Sequence, residues 1–170
     1  GKYSKEDYKI AMVVNRNKKS DLALIKLLKN PVGIKPLSLA DASSIKIGQD
    51  VHAIGHPGNG SQWTYTRGYI GQILNNYEWD YDDGISRKAR MVIQSQTPIM
   101  GGNSGGPLLN DNAEVIGINS FSSDYAAANY AVSVKDLKLF LKEKITIPTI
   151  PVKTSKAKQA SYDWDANVIR

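Results

Sequence analysis

The feature that most constrains the fold of this chain is a series of short apolar segments separated by glycine, proline and polar turn residues. Each segment is rich in β-branched residues and too short for a typical helix, which favours strands. The segments are YKIAMVVN (8–15), VHAIGHPG (51–58), ARMVIQSQ (89–96), VIGINSF (115–121) and NYAVSV (129–134). Many short strands joined by glycine-rich turns predict an all-β barrel or sandwich.

Three other stretches have less distinct patterns. Residues 21–29 fit either a strand or a helix by periodicity alone. We interpret residues 62–74 as two strand segments, with Gly68 and Gly71 marking a bend or a bulge. The polar and acidic stretch 75–88 is predicted to be a surface loop.

One segment has the periodicity of a helix. Its apolar residues recur at positions i, i+3, i+7 and i+11, and they are Val134, Leu137, Leu141 and Ile145. Ser133 precedes them and is a suitable N-cap residue. We therefore predict one C-terminal helix, followed by a linker or docking tail over 146–170.

The composition excludes several classes of protein. The 170 residues include no cysteine, which excludes disulfides and thiolate metal sites. The formal net charge is +6, but the basic residues are spread along the chain, whereas nucleic-acid binding favours clustered Lys and Arg. No apolar run approaches the roughly 20 residues that span a bilayer, and residues 1–9 are too polar for a signal peptide. We expect no nucleic-acid partner and no membrane insertion of this chain.

The strongest chemical motif is GGNSGG, residues 101–106, in which glycine pairs flank Ser104. A serine hydroxyl is a weak nucleophile unless a base takes its proton and donors hold the oxyanion that forms. Glycines allow successive main-chain N–H groups to point into one pocket. The motif therefore predicts a nucleophile at Ser104, although a tight turn with an incidental serine also fits these six residues.

Four segments together resemble the trypsin-like serine proteases, most closely the bacterial HtrA/Deg type. GGNSGGPLLN, followed by EVIGINSF, is similar to the nucleophile region of that family, and SDLALIKL (20–27) is similar to the segment that carries its catalytic aspartate. VHAIGHPG is similar to the strand that opens the second barrel, and NYAVSV with the helix behind it is similar to the C-terminal end. The resemblance covers residues 20–145 and implies a chymotrypsin-like double β-barrel.

This resemblance implies a division of the chain into three parts. Residues 1–45 would be the C-terminal part of a first β-barrel that is only partly present. Residues 46–145 would form a complete second β-barrel with the C-terminal helix, and residues 146–170 the linker or tail.

The resemblance also implies roles for individual residues. Ser104 would be the nucleophile of a serine endopeptidase that hydrolyses peptide bonds through an acyl-enzyme, and Asp21 would orient the base. The oxyanion hole would be formed by Gly102, Asn103 and Ser104, with the N–H groups of Gly102 and Ser104 as donors. The substrate would add as a strand beside residues 120–122. The substrate-binding residues would be Ile99, Met100, Ser120, Phe121, Ser122 and Tyr130.

The residues around the expected specificity pocket give a weaker indication. Pro98, Ile99 and Met100 include no acid, so a preference for Lys or Arg is not indicated. Ala128 and Tyr130 would narrow the pocket, which favours small or medium apolar residues at the cleaved position.

The base of the triad is missing from the chain. The family has its histidine before its aspartate, but none of the 20 residues before Asp21 is a histidine, and His52 and His56 both follow it. Three explanations compete. We favour a fragment whose catalytic histidine lies upstream of residue 1, so that this chain alone is inactive. The second explanation is a degenerate protease domain that acts as a binding or scaffold module. The third is that His52 or His56 replaces the missing base, but the required geometry with Ser104 and Asp21 should not be reachable from their strand.

The expected partners and surroundings follow from the same resemblance. Polypeptide substrates are implied, together with the missing N-terminal fragment or a second copy of the chain. Gly55 and Pro57 exclude a helix that could place His52 and His56 around one metal ion, so we expect no metal and no cofactor. The family favours a cell-envelope, periplasmic or secreted location.

Overall fold

The structure, a computed structural model, describes residues 10–29, 31–56, 63–123 and 128–143. The elements follow in the order β1 (Ala11–Asn17), β2 (Leu22–Leu27), a 3₁₀ helix (Ala42–Ser44), β3 (Asp50–Gly55), β4 (Thr64–Trp79), β5 (Arg87–Ser95), β6 (Pro107–Leu109), β7 (Val115–Ser123), β8 (Ala128–Ser133) and α1 (Val134–Phe140). The prediction of an all-β fold with one C-terminal helix is confirmed over these residues.

Six strands close into a barrel in the order β3-β4-β5-β8-β7-β6, and β6 pairs back onto β3. Every neighbouring pair is antiparallel. Because side chains alternate along a strand, every second residue points into the barrel. The fully buried side chains of this core include Val51, Ile70, Ile93, Leu108, Ile116 and Val134. Burial of such side chains stabilises the fold by about 1.5–3 kcal/mol each.

The β1–β2 hairpin forms a separate two-stranded sheet that packs on the outside of this barrel. Leu22 of β2 is 5% exposed and belongs to a second apolar cluster with Trp79 of β4 and Phe140 of α1. A main-chain hydrogen bond of 2.7 Å from Lys88 N to Lys19 O ties the hairpin turn to β5. These contacts fix the position of the residues that follow the turn.

The structure corrects the prediction for residues 62–88. β4 is a single strand from Thr64 to Trp79 instead of two segments, and it pairs with β5 as far as Trp79 opposite Arg87, so the predicted loop is limited to residues 80–86. The predicted irregularity is confirmed at Gly71, where the register shifts between Ile70 and Gln72. The polar residues of 75–79 obscured the alternation of Tyr77 and Trp79, whose rings pack in the second apolar cluster. Packing of these rings outweighs the low strand propensity of their neighbours.

The helix begins as predicted but ends earlier. The Ser133 side chain accepts a hydrogen bond from Lys135 N at 3.2 Å, which confirms it as the N-cap. Leu141 is already the C-cap residue and is 39% exposed, so it adds nothing to the buried stripe of the helix. Ile145 and the predicted tail 146–170 lie outside the described residues.

Candidate active site

Ser104 lies on an exposed glycine-rich turn, residues 100–106, that leads into β6; we call it the nucleophile turn. Gly102 and Gly105 have φ angles of 102° and 82°. Glycine adopts these angles at no steric cost, whereas other residues rarely do. The backbone of the turn therefore requires glycine at two of the four positions. Ser104, between them, is exposed to solvent.

The main-chain N–H groups of the nucleophile turn divide into two sets. Asn103 N donates to Met100 O at 3.1 Å, so this N–H is not free to join the predicted oxyanion hole. The N–H groups of Gly102 and Ser104 donate to no main-chain acceptor within the described residues. Unpaired amides beside a nucleophile are the donors that stabilise an oxyanion.

Asp21 lies between the β1–β2 turn and β2, with a φ angle of 54°. Such a left-handed conformation costs a non-glycine residue about 1–3 kcal/mol and is concentrated at functional sites. The carboxylate points towards the barrel, where Ser120 Oγ donates to Asp21 Oδ2 at 2.5 Å and Tyr81 OH donates to the same oxygen at 3.0 Å. The two hydroxyls also contact each other at 3.1 Å.

Ser120 reaches Asp21 because β7 is irregular at that point. The register of β7 against β8 shifts between Asn119 and Phe121, which leaves Ser120 as an extra residue in β7. A β-bulge of this kind bends the strand and changes the direction of a side chain. The bulge therefore turns the Ser120 hydroxyl towards the hairpin.

A short stretch of β7 connects the two residues that the sequence assigns to catalysis. On one side, Gly105 N donates to Asn119 O at 2.8 Å, which fixes the turn that carries Ser104. On the other side, the next residue, Ser120, bonds to Asp21. The fold thus brings the nucleophile turn and Asp21 to neighbouring positions of one strand, although they are far apart in sequence.

The same strand offers a free edge beside the nucleophile turn. β6 pairs only with Val115–Ile118 of β7, so residues 120–123 extend beyond it. Within the described part of the chain, no strand covers this side of residues 120–123. An uncovered edge of this kind can accept an extended peptide as an additional strand.

The predicted substrate-binding residues lie in different environments. Met100, the first residue of the nucleophile turn, is 51% exposed. Ile99 directly precedes the turn and packs against the barrel core. Ser122 is exposed on the free edge. Phe121 stacks on Tyr130, with 4.6 Å between the ring centroids.

The structure does not bring Tyr130 and Ala128 to the expected pocket. Tyr130 is 7% exposed and Ala128 is 2% exposed, and both belong to the second apolar cluster. Asn129, between them, points to the opposite face and donates from Nδ2 to Thr97 O at 2.6 Å. Alternation along β8 is the signal that would have selected Asn129 over its neighbours.

Among the described residues, neither histidine forms a hydrogen bond with Ser104 or Asp21. His52 contacts Tyr65 OH through Nδ1 at 2.7 Å and Asp111 Oδ1 through Nε2 at 2.8 Å, so both ring nitrogens are occupied. The ring of His56 packs on Trp63, with 4.4 Å between the centroids.

Among the residues with described positions, no group of three His, Cys, Asp or Glu could hold a metal ion. No helix in the described ranges is long and apolar enough to cross a membrane.

Tyr81 is the residue at this site that sequence reasoning missed. It lies in the connection between β4 and β5, within the stretch interpreted as a surface loop, and its side chain is half-buried. The available signal was the period-two spacing of Tyr77, Trp79 and Tyr81, which marks one face of a strand and its extension.

Comparison with known proteins gives a consistent result. A family model described as a trypsin-like peptidase domain matches residues 3–118. The chain is 34% identical over 108 residues to the serine protease PepD of Mycobacterium tuberculosis, covering 64% of this chain and 23% of PepD. It is 36% identical over 116 residues to the periplasmic serine endoprotease DegP of Salmonella typhimurium, covering 65% of this chain and 22% of DegP.

Longer matches agree with these two. The serine protease Do-like HtrA of Bacillus subtilis is 29% identical over 168 residues, which cover 94% of this chain and 37% of HtrA. The chain therefore spans well under half of the length of these curated relatives. The crystal structure of the active form of the Rv3671c protease of M. tuberculosis superposes with a TM-score of 0.72 at 25% identity, covering 86% of this chain and 63% of that one.

Proposed function

Because the chain belongs to the trypsin-like peptidase family, we propose that it carries the nucleophile and the aspartate of a serine endopeptidase that acts on polypeptides. The observation that carries the proposal is the placement of the nucleophile turn and Asp21 beside one short stretch of β7. Ser104 attacks the scissile carbonyl and forms the acyl-enzyme, and the N–H groups of Gly102 and Ser104 hold the oxyanion.

Asp21 orients the base in this mechanism. Both hydroxyl donors bind Oδ2, and no donor among the described residues binds Oδ1. Oδ1 is therefore the oxygen that accepts an N–H from an imidazole, fixing its tautomer and stabilising its cationic form. We assign this imidazole to a histidine on the N-terminal side of residue 1, because both ring nitrogens of His52 are occupied and the ring of His56 packs on Trp63.

The free edge at 120–123 binds the substrate main chain. A peptide that adds there as a strand is read first by its backbone and then by its side chains. Ile99, Met100 and Asn129 lie on the elements that border this position. None of these is charged, which supports cleavage after small or medium uncharged side chains.

The location of the protein follows the same proposal. The DegP relative is named as periplasmic, and a cell-envelope or exported location suits an endopeptidase of this family. Epitope-tagged protein in the envelope or extracellular fraction, and not in the cytoplasmic fraction, is the expected outcome of cell fractionation.

Labelling of the full-length natural protein with a fluorophosphonate tests the enzymatic proposal. The probe reacts with an activated serine, so we expect labelling of the wild type and none of Ser104→Ala. Ser43→Ala, which removes an exposed hydroxyl on the 3₁₀ helix, is the matched control and should be labelled normally. Labelling that persists in Ser104→Ala contradicts the assignment of the nucleophile.

A catalytically inactive binding or scaffold module is the alternative function. Its supporting observation is that no histidine among the described residues forms a hydrogen bond with Ser104 or Asp21. Full-length protein that binds peptides but is neither labelled nor able to cleave them would establish this alternative.

A further inference from the structure

We propose that Tyr81 is a positioning residue for the catalytic aspartate, holding Oδ2 of Asp21 so that Oδ1 faces the base. The inference rests on the proposed function and extends it to a residue outside the triad. Its starting point is a pair of hydrogen bonds from Tyr81 and Ser120 to the same oxygen of Asp21, with the two hydroxyl oxygens 3.1 Å apart.

The geometry gives the two carboxylate oxygens different roles. An ionised carboxylate accepts hydrogen bonds at both oxygens. Tyr81 OH and Ser120 Oγ both donate to Oδ2, at 3.0 Å and 2.5 Å. Two donors that converge on one oxygen from different elements prevent rotation of the carboxylate about its Cβ–Cγ bond. The other oxygen is thereby held in one direction.

Tyr81 is itself held by contacts that do not involve Asp21. The guanidinium of Arg87 lies over its ring at 4.1 Å from the centroid. Arg87 in turn forms two hydrogen bonds to the carboxylate of Asp83, at 2.9 Å and 2.7 Å, and a third to Ile85 O. The ring edge of Phe121 packs against Tyr81 at 6.4 Å between centroids. A side chain locked in this way is preorganised to position another group.

The location of Asp21 makes such support necessary. Asp21 ends the turn of the β1–β2 hairpin, whereas the nucleophile turn leads into β6 of the barrel. Small movements of the hairpin against the barrel would change the distance between aspartate and serine. Tyr81 and Ser120 connect the Asp21 carboxylate directly to the β4–β5 connection and to β7 of the barrel.

The phenol remains a donor over the pH range in which a peptidase of this class works. Burial raises the pKa of Tyr81 above its ordinary value, the contact with the Ser120 hydroxyl acts in the opposite direction, and the negative charge of Asp21 raises it further. The O–H bond is therefore intact at neutral pH, where it points at the carboxylate.

The test compares Tyr81→Phe with wild type in the full-length protein. Phenylalanine keeps the ring beneath Arg87 and beside Phe121, so only the hydroxyl is lost. We expect kcat to fall by about 10-fold, the loss of one hydrogen bond to a charged group, with KM changed by less than about twofold. The acidic limb of the kcat/KM profile should move to higher pH, because a carboxylate with one donor fewer attracts the imidazole proton more strongly.

Tyr77→Phe is the matched control. Tyr77 stacks on the same ring, Phe121, but makes no hydrogen bond to Asp21. It should leave kcat and the pH profile unchanged. A Tyr81→Phe variant with wild-type kcat and an unchanged acidic limb overturns the proposal, as does an equal change in both variants.

A second readout separates this inference from the proposed function. The carboxyl ¹³C resonance of Asp21 should shift in Tyr81→Phe and not in Tyr77→Phe, whether or not the protein cleaves peptides. An unchanged resonance overturns the role of Tyr81 even if Ser104 is confirmed as the nucleophile. Labelling of Ser104→Ala overturns the proposed function and leaves this measurement of the Tyr81–Asp21 contact intact.

Discussion

The Asn103 side chain occupies the space beside Gly55: a Cβ on Gly55 would lie 2.0 Å from Asn103 Oδ1 and 2.8 Å from its Cγ. Gly55 is the last residue of β3, and Asn103 directly precedes Ser104 and is 4% exposed. The first strand of the barrel thus supports the nucleophile turn from inside. The Asn103 side chain is thus a structural part of the turn, and the main-chain N–H of Asn103 also stabilises the turn by donating to Met100 O.

Gly55→Ala should therefore disturb the nucleophile turn. The added methyl group displaces Asn103, and overpacking of this kind typically costs about 1–3 kcal/mol. We expect a lower free energy of unfolding and slower labelling of Ser104 by a fluorophosphonate. Gly71→Ala is the control, because its Cβ would meet only ordinary contacts at 3.9 Å and 4.0 Å. Equal effects of the two substitutions would contradict the supporting role of Gly55.

Asp21→Asn should reduce kcat by about 10⁴-fold in the full-length protein, because the amide selects the wrong tautomer of the base. The near-identical shape should preserve the fold, as measured by circular dichroism and the unfolding midpoint. Asp111→Asn, which alters the carboxylate that contacts His52, should leave peptide hydrolysis unchanged. Full activity of Asp21→Asn would show that the aspartate has been assigned wrongly.

The ion pair of Asp83 and Arg87 should make stability depend on pH in a narrow acidic range. The hydrogen bonds from Arg87 lower the pKa of Asp83 from 3.8 to about 2. A lowered folded-state pKa stabilises the protein above the unfolded value, and this contribution is lost as the pH falls from about 4 to 2. Asp83→Asn should lower Tm by a few degrees at most at pH 7, because the carboxyl is open to solvent screening.

The control for this prediction is Asp82→Asn, which changes an exposed neighbouring carboxylate with no ion pair among the described residues. Calorimetry between pH 2 and pH 7 should show a difference between Asp83→Asn and wild type that disappears at the acid end. A difference that stays constant with pH would exclude the ion pair as its source.

Trp79→Ala should destabilise the connection between the barrel and the hairpin. Trp79 is 9% exposed and its ring lies 4.9 Å from that of Phe121, between centroids. Removal of a buried aromatic side chain costs about 3–5 kcal/mol, which urea unfolding would measure. Trp63→Ala, at a residue that is 70% exposed, should change the free energy of unfolding much less. Similar losses in both variants would contradict the packing described for Trp79.

The local requirements of the backbone could be predicted from the sequence. β-branched segments and glycine turns indicated the strands, and Ser133 indicated the start of the helix. The glycines around Ser104 indicated a turn with unusual dihedral angles, and φ values of 102° at Gly102 and 82° at Gly105 confirm this. Each of these properties depends on a residue and its immediate neighbours.

The faces of the strands and the partners of Asp21 were decided by the tertiary structure. Tyr130 was expected to line the specificity pocket, but the register of β8 directs its side chain into the second apolar cluster. Tyr81 is 60 residues and Ser120 is 99 residues from Asp21, and they meet it only because the barrel closes and β7 bulges. The sequence alone indicated which residues to propose for the chemistry, through motif composition and the order of the segments along the chain. The contacts of those residues were decided only by the long-range pairing of strands. A shift of register by one residue moves a side chain from one face of a sheet to the other, and no local pattern fixes that register.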